Sequence, residues 1–221
     1  ACAGAVFLDR LVRKNTLDEE RYDYRGDFAY DGEPDFTMLN YLHEGPFLTK
    51  DPPKIATRAQ FATNYADDFF NRGVHKGVRP SSLINTVTRF VVQAAVDSVK
   101  RFIRPVCEGI DDVIVSGGGV ANDFLMDCVR EELDGLLVMT ADELGTPSSS
   151  VNAIATAGLA VQALHGFPGN VPSVTGARHE IVLGKITIPA PAAADTVRRT
   201  SLEDLRREVE TRTPPQRKAR D

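Results

Sequence analysis

One stretch of the sequence, Asp111-Asp112-Val113-Ile114-Val115-Ser116-Gly117-Gly118-Gly119-Val120-Ala121-Asn122, predicts the fold of the region around it. A short apolar run ends there in a serine and three consecutive glycines. An amphipathic pattern typical of a helix then begins, with apolar side chains at Phe124, Leu125, Cys128 and Val129. Glycine adopts backbone conformations closed to other residues and leaves room for a ligand beside the main chain. A strand, a glycine turn and a helix are therefore predicted, with amides and a helix dipole that favour a phosphate or a nucleotide.

The glycine turn by itself does not identify a ligand. It departs from the G-x-G-x-x-G fingerprint because Gly119 is followed by Val120-Ala121-Asn122. No Gly-Lys-Ser/Thr follows it, as a Walker loop would require. Since glycine often serves a tight turn that binds nothing, a bare strand-to-helix turn stays open as the alternative.

The composition argues against several classes of partner. The 221 residues, 42% of them hydrophobic, suffice for one large domain or two small ones. A net charge of -5 gives no general attraction to nucleic acid or to an anionic membrane surface. No apolar run approaches the length of a membrane span. We therefore expect neither a nucleic-acid partner nor a membrane partner.

The metal-binding residue types are scattered along the chain. The three cysteines, Cys2, Cys107 and Cys128, show neither metal-site spacing nor a disulfide framework. This usage favours a reducing compartment, so a cytoplasmic protein is predicted. The four histidines form no ligand pair in the sequence, and no residue is assigned as a metal ligand.

The order of predicted elements indicates an α/β layered fold. Helices are predicted over residues 6–12, 34–43, 58–71 and 80–102, and after the serines of 148–150 as far as Gly166. Strands are predicted at 136–139 and 180–188, in addition to the one before the glycines, whereas residues 14–33 and 167–177 are predicted as loops. The tail 189–221, rich in Ala-Pro and then in charge, is predicted to be disordered. Ligands in such sheets lie outside the carboxyl ends of the strands, which is where Gly117–Gly119 falls.

Four segments, in the same order, make the chain similar to the anhydro-N-acetylmuramic acid kinase family. The first is Val6-Phe7-Leu8-Asp9 with Gly4 before it, and the second is Pro52-Pro53-Lys54 with Arg58 and Phe61. The third runs from Val115 through the glycines to Asn122, with Leu125-Met126. The fourth combines Asp142-Glu143-Leu144-Gly145, the 168–177 loop (PGNVPSVTGA) and Val182-Leu183-Gly184-Lys185-Ile186.

The resemblance implies an actin-like ATPase fold of the ribonuclease H-like type, with a mixed sheet flanked by helices. Residues 1–188 resemble the carboxyl-terminal, nucleotide-binding lobe of such a sugar kinase. Two lobes of the family's enzymes close on ATP, Mg²⁺ and a 1,6-anhydro sugar. Water opens the anhydro bridge as the freed O6 takes the γ-phosphate. The resemblance places the catalytic aspartate just before Ala1, so no catalytic residue is assigned within this sequence, and a homodimer is left open.

The chain departs from the family pattern at several positions. Cys2-Ala3-Gly4 replaces Gly-Pro-Gly, Ile55-Ala56-Thr57 replaces Ser-Thr-Gly, Ala59 replaces a glutamate, and Asn152-Ala153 replaces Glu-Ala. Hydroxyl groups and carboxylates expected near the cleft are thereby lost. A non-catalytic nucleotide-binding or structural remnant of the family, and a kinase of the levoglucosan type, therefore remain as alternatives.

Six residues are predicted to contact the nucleotide. Gly117, Gly118 and Gly119 are expected to contact the nucleotide through their backbone, and Gly4 is expected to approach its phosphates. Lys54 is expected to reach a phosphate as a point charge, unless it is simply exposed. Asn122 is expected either to bind the ribose or base or to cap the helix after the turn. Asp142 and Glu143 are predicted to form a solvated turn rather than a catalytic pair.

Overall fold

A computed structural model of the chain describes residues 4–54, 57, 61, 64–107 and 109–187. The chain divides after Asn152 into two units, Ala1–Asn152 and Ala153–Asp221, and each unit is described here by itself. The predicted disorder of residues 189–221, and most of the predicted start of the helix at 58–71, lie outside the described residues.

The described residues form nine α-helices and two short β-strands. The helices are α1 Gly4–Asn15, α2 Asp27–Asp31, α3 Phe36–His43, α4 Pro46–Thr49, α5 Asn64–His75, α6 Pro80–Ser98, α7 Asp123–Glu132, α8 Val151–His165 and α9 Pro172–Thr175. The strands are β1 Asp112–Val115 and β2 Leu137–Thr140. The predicted helix at 80–102 is confirmed, because a π-helical turn, Val99–Ile103, continues α6 directly.

Helix α6 is the centre of the first unit. It begins with Pro80 in its first turn, where the missing N–H costs nothing. Helices α1, α2, α3, α5 and α7 all pack against it. Its buried apolar residues are Leu83, Ile84, Val87, Phe90, Val91, Val92 and Val96. Apolar residues are buried on more than one face, as expected for a helix surrounded by protein.

The buried polar side chains of α6 organise the segment that enters it. Asn85 Nδ2 donates hydrogen bonds to the carbonyls of Ala29 and Gly32, each at 2.9 Å. Thr86 Oγ1 accepts from the backbone amide of Asp35 at 2.9 Å. Buried polar groups must be hydrogen-bonded, so these contacts determine the path of the chain between α2 and α3.

The prediction that residues 14–33 form one loop is wrong, because α1 extends to Asn15 and α2 lies inside the segment. The carboxylate of Asp23 accepts hydrogen bonds from the amides of Phe28 and Ala29, at 2.9 and 3.2 Å, and so caps α2 from outside the helix. Burial raises the pKa of the Asp23 carboxyl, and these amide donors oppose the rise.

The sheet of the described residues contains two parallel strands. The register pairs Asp112 with Leu137 and Val115 with Thr140, and α7 connects the strands. The second strand of this pair was predicted at 136–139 and is found one residue later. The described residues 180–187 form no strand, so the last predicted strand is wrong there. Ile181 and Val182 are exposed. The strand was predicted from apolar composition, but a strand also needs a neighbouring strand to pair with, and composition does not provide one.

The described part of the second unit, residues 153–187, contains most of α8 and the segment that follows it. No residue of α8 is buried. The helix ends at His165 and is followed by Gly166, whose φ of 73° is left-handed. The amide of Phe167 donates to Gln162 O at 2.9 Å. This is the Schellman arrangement that terminates many helices. The predicted irregular loop at 167–177 is confirmed except for the short helix α9 within it.

Gly32→Ala is expected to lower the free energy of unfolding by about 1–3 kcal/mol, the usual cost of overpacking. A methyl group at this position would overlap the main chain of Ser81 and Ser82 at the start of α6. The φ of -99° at Gly32 suits alanine, so the effect is steric. Urea unfolding measures it, with Gly109→Ala as the control, because nothing lies within 4 Å of a Cβ there. Equal stability of the two variants would contradict the packing described for α6.

Candidate functional site

The glycine turn lies between the end of β1 and the start of α7. Gly117 has φ 92° and ψ -173°, a conformation that a residue with a Cβ rarely adopts. Its amide donates to Ser148 O at 3.1 Å. Gly118–Ala121 then form one 3₁₀ turn, and Asn122 precedes α7. The predicted strand, glycine turn and helix are confirmed.

The turn offers two free amides beside open space. Within the described residues, the N–H groups of Gly118 and Gly119 have no acceptor. A Cβ built on Gly117 or Gly118 would meet nothing within 4 Å, and one on Gly119 would meet only the side chain of Leu125, at 3.9 Å. Unpaired amides at a turn that leads into a helix favour an anion. The turn is therefore chemically suited to phosphate oxygens.

Asn122 has a structural role in this geometry. Its side-chain oxygen accepts from the amide of Leu125 at 2.8 Å and so caps α7. Its Nδ2 donates to Asp23 O at 3.1 Å, which ties the turn to the segment before α2. The residue is buried, with 8% of its surface exposed. Of the two predicted roles, the helix cap is the one that the structure displays, and a contact with ribose or base stays a prediction.

Gly4 and Lys54 have other surroundings in the structure. Gly4 is buried as the first residue of α1. The ammonium group of Lys54 donates to the carbonyls of Phe47 and Leu48 at 3.2 and 3.3 Å. It also lies 5.1 Å from the ring centre of Phe47 and 5.4 Å from that of Phe102. Lys54 lines a pocket of about 130 Å³ with residues of α3, α4 and α6. The predicted phosphate contacts of Gly4 and Lys54 stay predictions.

A side-chain pair that supports the turn was not predicted from the sequence. The carboxylate of Asp142 accepts hydrogen bonds from the amide of Ser148, at 3.1 Å, and from the hydroxyl of Ser148. Ser148 is 2% exposed, and its carbonyl holds the amide of Gly117. The hydrogen bonds from Ser148 lower the pKa of Asp142. Asp142 and Ser148 flank Gly145-Thr146-Pro147, a turn sequence, and that spacing was the signal available for their pairing.

Glu143 has a local role beside this pair. Its carboxylate accepts from the amide and the hydroxyl of Thr140, both at 3.0 Å, at the end of β2. Asp142 and Glu143 are both exposed, in agreement with the predicted solvated turn. Through these hydrogen bonds, Glu143 stabilises the end of β2 and Asp142 stabilises the glycine turn by way of Ser148.

The described residues supply no obvious cation site. No three His, Cys, Asp or Glu side chains among them lie close enough together to hold a metal ion. We therefore assign no Mg²⁺ ligand to these residues. None of the helices in the described part of the chain is long and apolar enough to cross a membrane.

Ser148→Ala is expected to raise the pKa of Asp142 part of the way to its ordinary value, because the hydroxyl donor is lost and the amide donor remains. The hydrogen bonds from Ser148 favour the ionised carboxylate. The stability that these hydrogen bonds contribute is therefore present at pH values above the ordinary pKa of an aspartate. It is lost as the pH falls through the lowered pKa of Asp142 in the folded chain. A carboxyl-carbon NMR titration measures the midpoint. Ser149→Ala, at the exposed neighbour, should leave it unchanged. An unshifted midpoint in Ser148→Ala would contradict the pairing.

Comparison with known proteins identifies the family to which the chain is similar. A family model described as Anhydro-N-acetylmuramic acid kinase matches residues 1–189. Kinases of that description are similar in sequence: the one from Bacillus thuringiensis subsp. konkukian is 35% identical over 188 residues, 84% of this chain and 48% of the relative. The one from Bacillus cereus strain Q1 is 34% identical over 189 residues, 85% and 48% of the two chains. The one from Caldanaerobacter subterraneus subsp. tengcongensis is 30% identical over 185 residues, 84% and 46%.

The matches cover most of this chain but only about half of each relative. The chain spans about half the length of the curated relatives that it matches. The family match itself, residues 1–189, covers all of the chain before the predicted tail. The chain therefore belongs to the anhydro-N-acetylmuramic acid kinase family.

Proposed function

We propose that this chain provides the nucleotide-binding lobe of an ATP-dependent kinase that acts on a 1,6-anhydro sugar of the anhydro-N-acetylmuramic acid type. The observation that carries the proposal is the open glycine turn with free amides at Gly118 and Gly119, found in a chain that belongs to this family. An actin-like arrangement of the complete protein is part of the same proposal.

The turn would act on the phosphate groups of ATP. Its free amides would donate to phosphate oxygens, and the amide end of α7 would add a favourable dipole. Because the amide of Gly117 is already held by Ser148, the turn needs little rearrangement when the ligand arrives. Fixed donors of this kind stabilise charge more effectively than mobile ones do. The residues of this chain would thus bind and orient the nucleotide.

The reaction proposed for the complete protein joins two events at the sugar. Water adds at the anomeric carbon as the anhydro bridge opens, and the freed O6 takes the γ-phosphoryl group, leaving ADP and the sugar 6-phosphate. A divalent cation would arrive with ATP and neutralise charge on its phosphates. We assign no residue of this chain as the base that activates water. The sugar partner belongs to this proposal, while a homodimer and a cytoplasmic location stay predictions.

The test is an ADP-release assay with the complete gene product, with anhydro-N-acetylmuramic acid and levoglucosan as acceptors. Gly118→Val should raise the KM for ATP tenfold or more, because each amide contact with a charged group is worth about 1.5–3 kcal/mol. Its melting temperature should be retained, since a side chain at residue 118 meets open space. Gly109→Val, which also meets open space, is the matched control and should leave the KM unchanged.

The possible outcomes separate the proposal from its alternatives. ADP release with the anhydroamino sugar supports the kinase assignment, and release with levoglucosan alone would replace that substrate with the simpler sugar. ATP binding without ADP release in the presence of either sugar would favour the non-catalytic alternative. If Gly118→Val bound and turned over ATP like the unaltered protein, the turn would not be the phosphate site.

A further inference from the structure

Helix α8 has no cover in the described part of the chain. It extends over 15 residues, none of them buried, and every residue from 153 to 162 is exposed. An isolated helix of this length is only marginally stable in water, because most helical stability in proteins comes from packing an apolar face against other elements. Another surface is therefore needed to cover α8.

The composition of α8 is typical of a helix in a protein interior. It contains no aspartate, glutamate, lysine or arginine. Ile154 and Val161, seven positions apart on the same face, are 55% and 40% exposed, and Leu159 on another face is 43% exposed. A helix that is apolar on several sides is normally buried in protein. Helix α6 is buried in this way, whereas the apolar residues of α8 are exposed.

The segment 181–187, at the end of the described residues, extends this apolar surface. Its large apolar residues are 38–52% exposed, and they are Ile181, Val182, Leu183 and Ile186. The amide of Gly169, just beyond α8, donates to Ile181 O at 3.0 Å. A Cβ built on Gly184 would lie 4.0 Å from the Cβ of Ala163 in α8. The helix and the segment therefore form one continuous surface within the second unit.

The main chain of this segment is also unpaired. Within the described residues, the N–H groups of residues 182–187 have no acceptor. A surface that covered them would have to supply hydrogen-bonding partners, because buried backbone groups are almost always paired. The free edge of a β-sheet provides such partners, and an extended segment that adds to it is a common mode of association. Gly184, with φ 102°, places a bend in the segment, as glycine does at a bulge in a strand.

We propose that α8 and residues 181–187 form a docking surface for the part of a family kinase that this chain does not match. The segment 182–187 would add to the free edge of a β-sheet in that part, and α8 would pack against its apolar face. This inference rests on family membership and does not depend on nucleotide binding.

The lengths of the relatives indicate this occupant. Both α8 and the segment lie inside the family match, residues 1–189. The matched region makes up only 46–48% of the three relatives, so a comparable length of polypeptide accompanies this surface in each of them. A second copy of this chain is the competing occupant, and the experiment distinguishes the two.

The experiment combines the full 221-residue chain with the unmatched part of the Bacillus cereus strain Q1 kinase, expressed in the same cells. Size-exclusion chromatography with light scattering should show a complex of one copy of each, and the chain purified alone should be a monomer. In the complex, the backbone amides of α8 and of residues 182–187 should exchange with deuterium about 100-fold more slowly than in the chain alone, because the surface is covered.

Charged substitutions on the surface test which residues form it. Ile154→Glu, Val161→Glu and Ile186→Glu should each weaken the complex about tenfold or more, because a carboxylate buried without a partner is costly. The chain alone should keep its melting temperature in each variant, since these side chains are exposed. Val106→Glu is the matched control, because Val106 is 80% exposed and lies outside the surface. This change should leave the complex unaltered.

A chimaeric kinase, in which this chain replaces the matched part of the Bacillus cereus relative, gives a second measurement in which the two parts need not fold separately. The same amides should be protected from exchange in the chimaera. Ile154→Glu should lower the melting temperature of the chimaera, whereas Val106→Glu should not.

Each contrary outcome would overturn the proposal. A complex and a chimaera without protection at α8 and residues 182–187 would place the interface elsewhere, and so would glutamate variants that bind as tightly as the unaltered chain. A dimer of the chain alone that is lost in the Ile154→Glu variant would assign the surface to a second copy. Failure of the complex to form and of the chimaera to fold would contradict the proposed partner. The nucleotide function is tested separately, by ADP release from the complete gene product.

Discussion

The side-chain amide of Asn122 is the group on which the candidate site depends. The side-chain oxygen of Asn122 caps α7, and its side-chain nitrogen donates to the carbonyl of Asp23. The backbone amide of the same residue donates to Gly119 O and closes the 3₁₀ turn. The residue is buried, so a replacement that lost either the donor or the acceptor would leave a buried polar group unsatisfied. The direction of α7, the position of the turn and the position of the segment before α2 are therefore determined together.

The amides of the glycine turn have different roles. The amide of Gly117 is bonded to Ser148, which is itself held by Asp142, whereas those of Gly118 and Gly119 are left without an acceptor in the described residues. One amide thus fixes the turn and two are available to a ligand. A site arranged before the ligand binds loses less free energy to ordering, which suits a turn that must receive a highly charged group. Family membership supplies the identity of that group in our proposal, namely the phosphates of ATP.

Local sequence patterns predicted the parts of the fold whose causes are local. The strand, the three glycines and the helix after them lie within one continuous stretch, and the apolar spacing after Pro80 predicts most of α6. The cap of Asp23 on α2 was not predicted. The hydrogen bond from Asn122 to Asp23 was not predicted either, because it joins residues 99 positions apart in the sequence. The predicted strand is absent from the described residues 180–187 for a related reason, because a strand needs a neighbour that its own sequence does not specify. The contacts of the Lys54 ammonium group with nearby carbonyls and rings were also not predicted, because they join residues whose proximity the sequence does not specify.

The central claim is that the amides of Gly118 and Gly119 receive the phosphates of the nucleotide, and amide NMR tests it most directly. In a ¹⁵N-labelled chain titrated with MgATP, the account predicts large downfield proton shifts at Gly118 and Gly119, because these N–H groups gain a charged acceptor. The Gly117 amide, already bonded to Ser148, should shift much less. Shifts that leave Gly118 and Gly119 unchanged while other residues respond, or no response at saturating MgATP, would contradict the account.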